Sequence, residues 1–230
     1  MIDSVRNTVL SIISKDNRGY ITPFEFNLMA KQAQMEILDD YIYTYSNAMN
    51  KQNARLNGVG YSNIVRKAEE VLDMFRPDPL TLSYSVSAFP LPSDLYLTQT
   101  VIYNGSVEVD KAPSNILNLL TSNMTAPTTT YPVYTQNSNS IKVYPTTIVA
   151  DITLDYLRTP VDPKWTWVGL TDGAPMFNQG ASDYQDFELP IADEPKLVVK
   201  ILQYAGISIR EADIAQAASS EEVQDKQDKQ

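Results

Sequence analysis

Cysteine and histidine are both absent from this chain of 230 residues. Without cysteine the chain has no disulfide, no thiolate nucleophile and no zinc site of the usual thiolate type. Without histidine it lacks the side chain that most often moves protons near neutral pH, so Ser-His-Asp and Cys-His catalysis are excluded. The first absence fits a protein made in a reducing cytoplasm, and the second disfavours many enzyme classes.

Glycine is also scarce, and long apolar runs are missing. The 8 glycines form neither a G-x-x-x-x-G-K-[ST] nor a G-x-G-x-x-G pattern, so nucleotide-driven chemistry is not expected. No apolar run approaches the roughly 20 residues of a membrane span, and the first residues lack the basic and apolar regions of an export signal. We therefore expect no membrane partner and no export.

Positive charge is outnumbered, because 18 Lys and Arg residues stand against 28 Asp and Glu residues and give a net charge of −10. Phosphate backbones and anionic lipid surfaces both require clustered basic side chains for binding. Hydrophobic residues make up 43% of the chain, which is enough for a folded core. The composition predicts a folded, acidic protein that does not bind nucleic acid specifically.

Apolar residues recur at helical spacing near both ends of the chain. They indicate helices over about 3–14, over 62–75 and from about Glu194 onward, where Gly206 has the place of a C-cap. From residue 80 the pattern changes to the alternation of strands. Asn104-Gly105 between two apolar runs predicts a hairpin with a type I′ turn.

The segment 14–25 permits two interpretations. As an EF-hand loop it has Glu25 at the twelfth position, but Arg18 stands at a ligand position and would repel calcium. As a helix start, Thr22 and Glu25 form a capping box that opens a helix of about 30 residues, to about Leu56. We expect the helix and no metal.

The order of these elements predicts an α+β fold, in which helices from both ends of the chain form a bundle around an inserted β-rich lobe. Residues 1–79 form the N-terminal helical part in this prediction. Residues 80–190 form the inserted lobe and an irregular arm from residue 160. Residues 191–218 form C-terminal helices that complete the bundle, and 219–230 form a polar tail.

Carboxylates cluster at three places, which raises the possibility of a glycosidase with paired acids. The clusters are Asp39 with Asp40, then Asp183, Asp186 and Glu188, then Asp193 with Glu194. Solvated surface and helix N-terminal charge explain the same residues without catalysis, and we favour that explanation. We expect no catalytic residue and no cofactor.

The chain's two tryptophans lie close together in the arm among other aromatic residues. They could stack on carbohydrate, anchor a contact between subunits, or pack the arm onto its own domain. The candidate subunit-interface residues are Trp165, Trp167, Phe177, Tyr184 and Phe187. If Trp165 anchors an interface, Trp165→Ala should weaken assembly more than protomer folding.

Several segments, in the same order along the chain, resemble structural proteins of crAss-like bacteriophages. The similar segments are 19–26 (GYITPFEF), 33–37 (AQMEI), 155–165 (DYLRTPVDPKW), 187–190 (FELP), 197–202 (LVVKIL) and 205–210 (AGISIR). The resemblance covers nearly the whole chain but includes no catalytic motif.

This resemblance implies a virion component of the neck or tail, assembled in the bacterial host cytoplasm. It implies a homo-oligomeric ring, with 12 copies in the head-to-tail adaptors of short-tailed phages, that contacts the portal protein and adjacent rings. Packaged DNA would pass through without specific binding, along a lumen that we expect to be neutral or acidic. The alternative from another class is a tail-associated carbohydrate-active enzyme or carbohydrate-binding module.

Overall fold

The computed structural model describes residues 1–15, 20–53, 62–116, 121–122, 124–170 and 174–208. Its helices come from the two ends of the chain and its main sheets from the middle, which confirms the predicted α+β fold. The chain divides into two compact units. A helical unit contains Met1–Leu72 and the residues from Pro160 on, and a β unit contains Asp73–Thr159.

The division differs from the predicted insertion of 80–190. The β unit is a shorter insertion, since it ends at Thr159. The irregular arm, residues 160–190, therefore belongs to the helical unit and not to the β-rich lobe. The predicted C-terminal helices after residue 208 and the polar tail lie outside the described residues.

Four α-helices are described, and their bounds are α1 (Ile2–Lys15), α2 (Pro23–Asn53), α3 (Ser62–Asp73) and α4 (Glu194–Ser208). The predicted capping box is confirmed: Thr22 N–H donates to Glu25 Oε2 over 2.9 Å, and Glu25 N–H donates to Thr22 Oγ1 over 3.3 Å. α2 has 31 residues and is about 46 Å long. None of the described helices is both long enough and apolar enough to cross a membrane.

The core of the helical unit forms where α4 packs against α1 and α2. Fully buried apolar side chains on these helices include Ile2, Val5, Val9, Ala30, Ala33, Leu197 and Ile201. The predicted C-cap at Gly206 is wrong, because α4 continues to Ser208 and buries Gly206 within its last turns. Tertiary packing here overrides the low helix propensity of glycine.

The β unit contains two four-stranded sheets. Their strands are β1 (Leu80–Leu82), β2 (Phe89–Pro90), β3 (Leu95–Tyr103), β4 (Val107–Glu108), β5 (Asp110–Lys111), β6 (Val133–Gln136), β7 (Ser140–Tyr144) and β8 (Ile152–Arg158). The first sheet has the order β1-β8-β3-β4, and the second has the order β2-β7-β6-β5. All pairs are antiparallel except β5 with β6.

The predicted Asn104-Gly105 hairpin joins β3 to β4. Both residues have positive φ, 51° and 70°, as the central positions of a type I′ turn require. Ser106 N–H closes the turn on Tyr103 O over 3.3 Å. The core of the unit lies on the buried faces of the strands and includes Phe89, Val101, Ile141, Ile152 and Leu154.

Candidate functional site: the aromatic arm

The arm contains a small hairpin made by β9 (Trp167–Gly169) and β10 (Pro175–Phe177). Trp167 pairs with Phe177, and Val168 pairs with Met176. Because successive side chains of a strand point to opposite faces, each of these pairs occupies its own face of the hairpin. Backbone bonds between residues 166 and 178 and between residues 164 and 185 continue the pairing toward the base of the arm.

Trp165 lies at the base of the hairpin and is only 1% exposed. Its indole stacks on Trp167, with ring centroids 6.1 Å apart, and on Phe177, at 5.8 Å. The guanidinium carbon of Arg6 lies 3.8 Å from the centroid of the Trp165 ring. Burial lowers the pKa of Arg6, and Tyr20 and Asp3 act against that shift. The indole face adds a cation–π attraction for the guanidinium, whose Nε has no hydrogen-bond partner among the described residues.

Hydrogen bonds fix Trp165 to the first two helices. Its Nε1 donates to Asp3 Oδ1 over 2.9 Å, and its backbone N–H donates to Asn27 Oδ1 over 2.8 Å. Asn27 Nδ2 in turn donates to the Trp165 carbonyl over 3.2 Å. The buried ring and its polar partners hold the base of the hairpin at one position on α1 and α2.

A second set of polar contacts holds the first and last parts of the arm to α2. Buried Gln34 donates from Nε2 to the Val161 carbonyl over 2.9 Å, and its Oε1 accepts from Glu188 N–H over 3.1 Å. Lys31 pairs with Asp162 over 2.7 Å. These bonds lie at the two ends of the arm, on either side of the hairpin in sequence, and hold both ends to α2.

The five predicted interface residues separate into two groups. Trp165 and Phe187 are only 1% and 7% exposed, which leaves little of their surface for a contact with a second subunit. Packing of the arm onto its own unit accounts for both. Trp167 remains 44% exposed, and Phe177 and Tyr184 remain half-buried, so these three stay candidates.

Sequence reasoning missed the apolar residues on the other face of the hairpin. Val168, Leu170 and Met176 are 49%, 48% and 52% exposed. The sequence does contain a pattern that indicates this face: Val168 alternates with the aromatic residues before it, as residues on opposite faces of a strand do. Between Lys164 and Asp183 the sequence contains one charged residue, Asp172. The described residues of the hairpin are thus mostly exposed, apolar and uncharged, and its base is bonded to α1 and α2.

Asp186, the acid that a glycosidase interpretation would favour, is engaged with the start of α1. Its Oδ1 accepts from Ile2 N–H over 2.8 Å, and its Oδ2 lies 3.0 Å from the Met1 ammonium. Burial raises the pKa of Asp186, but hydrogen bonds from these groups and from Phe187 N–H outweigh burial and lower the pKa below its ordinary value. A general acid for glycoside hydrolysis needs the opposite shift.

Three other acids of the predicted clusters also form bonds within the chain. Asp183 pairs with Lys164 over 2.6 Å, and Glu188 accepts from Val161 N–H over 2.9 Å. Glu194 Oε1 accepts from the Ser4 hydroxyl over 2.5 Å. These contacts favour structural roles for the acid clusters.

Asp186→Asn should change the pH dependence of stability. A carboxylate with a lowered pKa contributes stability that is fully present above its unfolded-state pKa and is lost as pH falls through its folded-state pKa. We therefore expect the variant to be less stable than the natural chain at about pH 7, with the difference shrinking toward about pH 3. Denaturant unfolding at several pH values measures this difference.

Asp183→Asn serves as the matched control, because the Asp183–Lys164 pair is exposed and exposed pairs contribute little. If the difference in stability between Asp186→Asn and the natural chain does not change with pH, Asp186 does not have the lowered pKa described above.

No group of three or more acidic, histidine or cysteine side chains in the described part of the chain could hold a metal ion. The EF-hand-like segment is only partly described, since residues 16–19 lie outside the described residues. Glu25 is engaged in its capping box, and its hydrogen bonds with Thr22 lower its pKa. The capping box therefore accounts for Glu25 without calcium.

No protein-family model matches this chain, and no curated protein sequence matches it.

Proposed function

We propose that this protein is a non-enzymatic ring subunit in the neck or tail of a tailed bacteriophage. The resemblance of several segments to structural proteins of crAss-like phages supports this proposal. Identical copies close a ring below the portal protein and present a platform for the next tail component. The function is geometric, and it requires contact surfaces in place of an active site.

The observation that carries this proposal is the hairpin of the arm. The exposed residues in its described part are apolar, whereas the chain as a whole has a net charge of −10. The centres of protein interfaces are depleted of charge and enriched in aromatic residues and Met, as this surface is. Copies that repel one another through their net charge can approach most closely where each is nearly uncharged.

The net charge also suits a ring around a DNA path. Duplex DNA carries about one negative charge per 1.7 Å of axis, so a lumen lined with basic residues would bind it and slow its exit. An acidic ring leaves the duplex free to slide. We propose that the lumen is neutral or acidic and that DNA passes without specific contacts.

Adding charge to the hairpin tests the proposal. In Val168→Asp with Met176→Asp, two carboxylates occupy the face of the hairpin opposite Trp167 and Phe177, and burying either without a partner costs several kcal/mol. We expect assembly to weaken by at least about 100-fold. Light scattering on the purified chain, alone and mixed with portal protein, measures the change.

Val149→Asp with Met124→Asp is the matched control, because these are an exposed valine and an exposed methionine of the β unit, 55% and 96% exposed. The pair adds the same two charges to the other compact unit and should leave assembly unchanged. If the natural chain stays monomeric both alone and mixed with portal protein, the proposed function is refuted.

A further inference from the structure

The outer face of α2 is apolar although it is exposed. Phe24, Leu28 and Tyr43 are 66%, 52% and 67% exposed, and Met35 and Ile42 between them are half-buried. From Phe24 to Tyr43 this outer face extends about 28 Å along the helix. Because the opposite face of α2 carries the buried core residues, the helix is apolar on both sides, as is usual for a helix that is covered on both sides.

The outer face is distinct from the two faces of α2 that already have partners. Asn27 and Gln34 bind the arm. On the other flank, Lys200 of α4 lies 2.7 Å from Glu36 and 3.8 Å from Asp40. At 3.6 residues per turn, the outer face lies between these two flanks. It is therefore a separate surface from the one that holds the arm.

We infer that the outer face of α2 receives the hairpin of the neighbouring copy. This inference rests on the proposed ring. A ring closes through a heterologous contact, in which two different surfaces of the same chain meet. The hairpin and the outer face are two such surfaces in the helical unit, and both are exposed and apolar.

Charge favours a second copy as the occupant. The polar residues interspersed along the outer face are Glu25, Gln32, Asp39 and Ser46. Two of them are charged: Glu25, at the first turn, is bonded to Thr22 in the capping box, and Asp39 lies further along the helix. The hairpin between Lys164 and Asp183 contains only Asp172 as a charged residue. A basic partner would be recognised by an acidic surface, whereas two nearly uncharged surfaces suit copies of one acidic chain.

The absence of cysteine permits a direct test by disulfide cross-linking. One preparation carries Val168→Cys on the hairpin and another carries Leu28→Cys on α2, and the two are mixed, assembled and oxidised. We expect a cross-linked dimer in the mixture, with one copy of each variant identified by mass spectrometry. Neither preparation alone should cross-link. A chain with both substitutions should give a ladder of multimers.

Mixing Val168→Cys with Val149→Cys is the matched control and should give no cross-link. Cross-linking of Leu28→Cys with itself would overturn the inference, because the α2 faces would then meet each other. Assembled particles without a cross-link in the mixture would overturn it as well, while the proposed function would stand. A chain that stays monomeric in light scattering, alone and with portal protein, would overturn both.

Discussion

Trp165→Ala is expected to lower the free energy of unfolding of the helical unit by about 3–5 kcal/mol. The indole is 1% exposed, and its removal leaves a cavity between the hairpin and α1. It also removes the ring over which Arg6 lies and the donor to Asp3. The Arg6 guanidinium is then buried without its contact to the indole, which lowers the free energy of unfolding further. Both tryptophans lie in the arm, so fluorescence of the remaining Trp167 reports unfolding of this unit.

Trp167→Ala is the matched control, because the same side chain is lost from a position that is 44% exposed. We expect it to lower the free energy of unfolding by only about 1–2 kcal/mol. Equal losses from the two substitutions would contradict the packing assigned to Trp165. The sequence alone suggested that Trp165→Ala would weaken assembly more than folding, and the burial of Trp165 reverses that expectation.

Asp193→Ala should lower the free energy of unfolding by about 2–3 kcal/mol, because it breaks a buried charged contact between α2 and the start of α4. Asp193 is 1% exposed. It accepts from Tyr41 Oη over 2.8 Å at both carboxylate oxygens and lies 3.0 Å from Lys196 Nζ. Lys196 is 38% exposed and can turn toward water, which keeps the cost below that of a fully buried pair.

Asp162→Ala is the control for Asp193→Ala. It breaks the Lys31–Asp162 pair, in which both side chains are largely exposed, and should cost at most about 1 kcal/mol. Denaturant unfolding followed by tryptophan fluorescence measures both variants. If the two substitutions lower the free energy of unfolding equally, Asp193 is not the buried partner of Tyr41 and Lys196.

Features that depend on neighbouring residues could be predicted from the sequence. The capping box needs only Thr22 and Glu25, three positions apart, and the hairpin turn needs only Asn104 and Gly105. In each case the side-chain chemistry or the backbone freedom of the residues determines the local structure. The failure at Gly206 has the opposite cause, because burial in α4 decided the conformation there.

The arm could not be assigned from the sequence, because distant residues decide which of its side chains are buried. Trp165 and Trp167 are the same residue type two positions apart, yet one is buried and the other is exposed. The difference comes from Asn27 and Asp3, which bind Trp165 across separations of 138 and 162 residues. No local pattern contains that information.

The insertion of the β unit within the helical unit has a consequence for synthesis on the ribosome. All strands of the two main sheets lie between Leu80 and Arg158, so their residues are complete once Thr159 has been made. The helical unit must wait for α4, which ends 49 residues later at Ser208. At about 5–20 residues per second, that delay is about 2–10 s. During that interval a nascent chain thus carries α1 and α2 without α4, their packing partner. The arm is also made during that interval, so its contacts with α1 and α2 cannot form earlier.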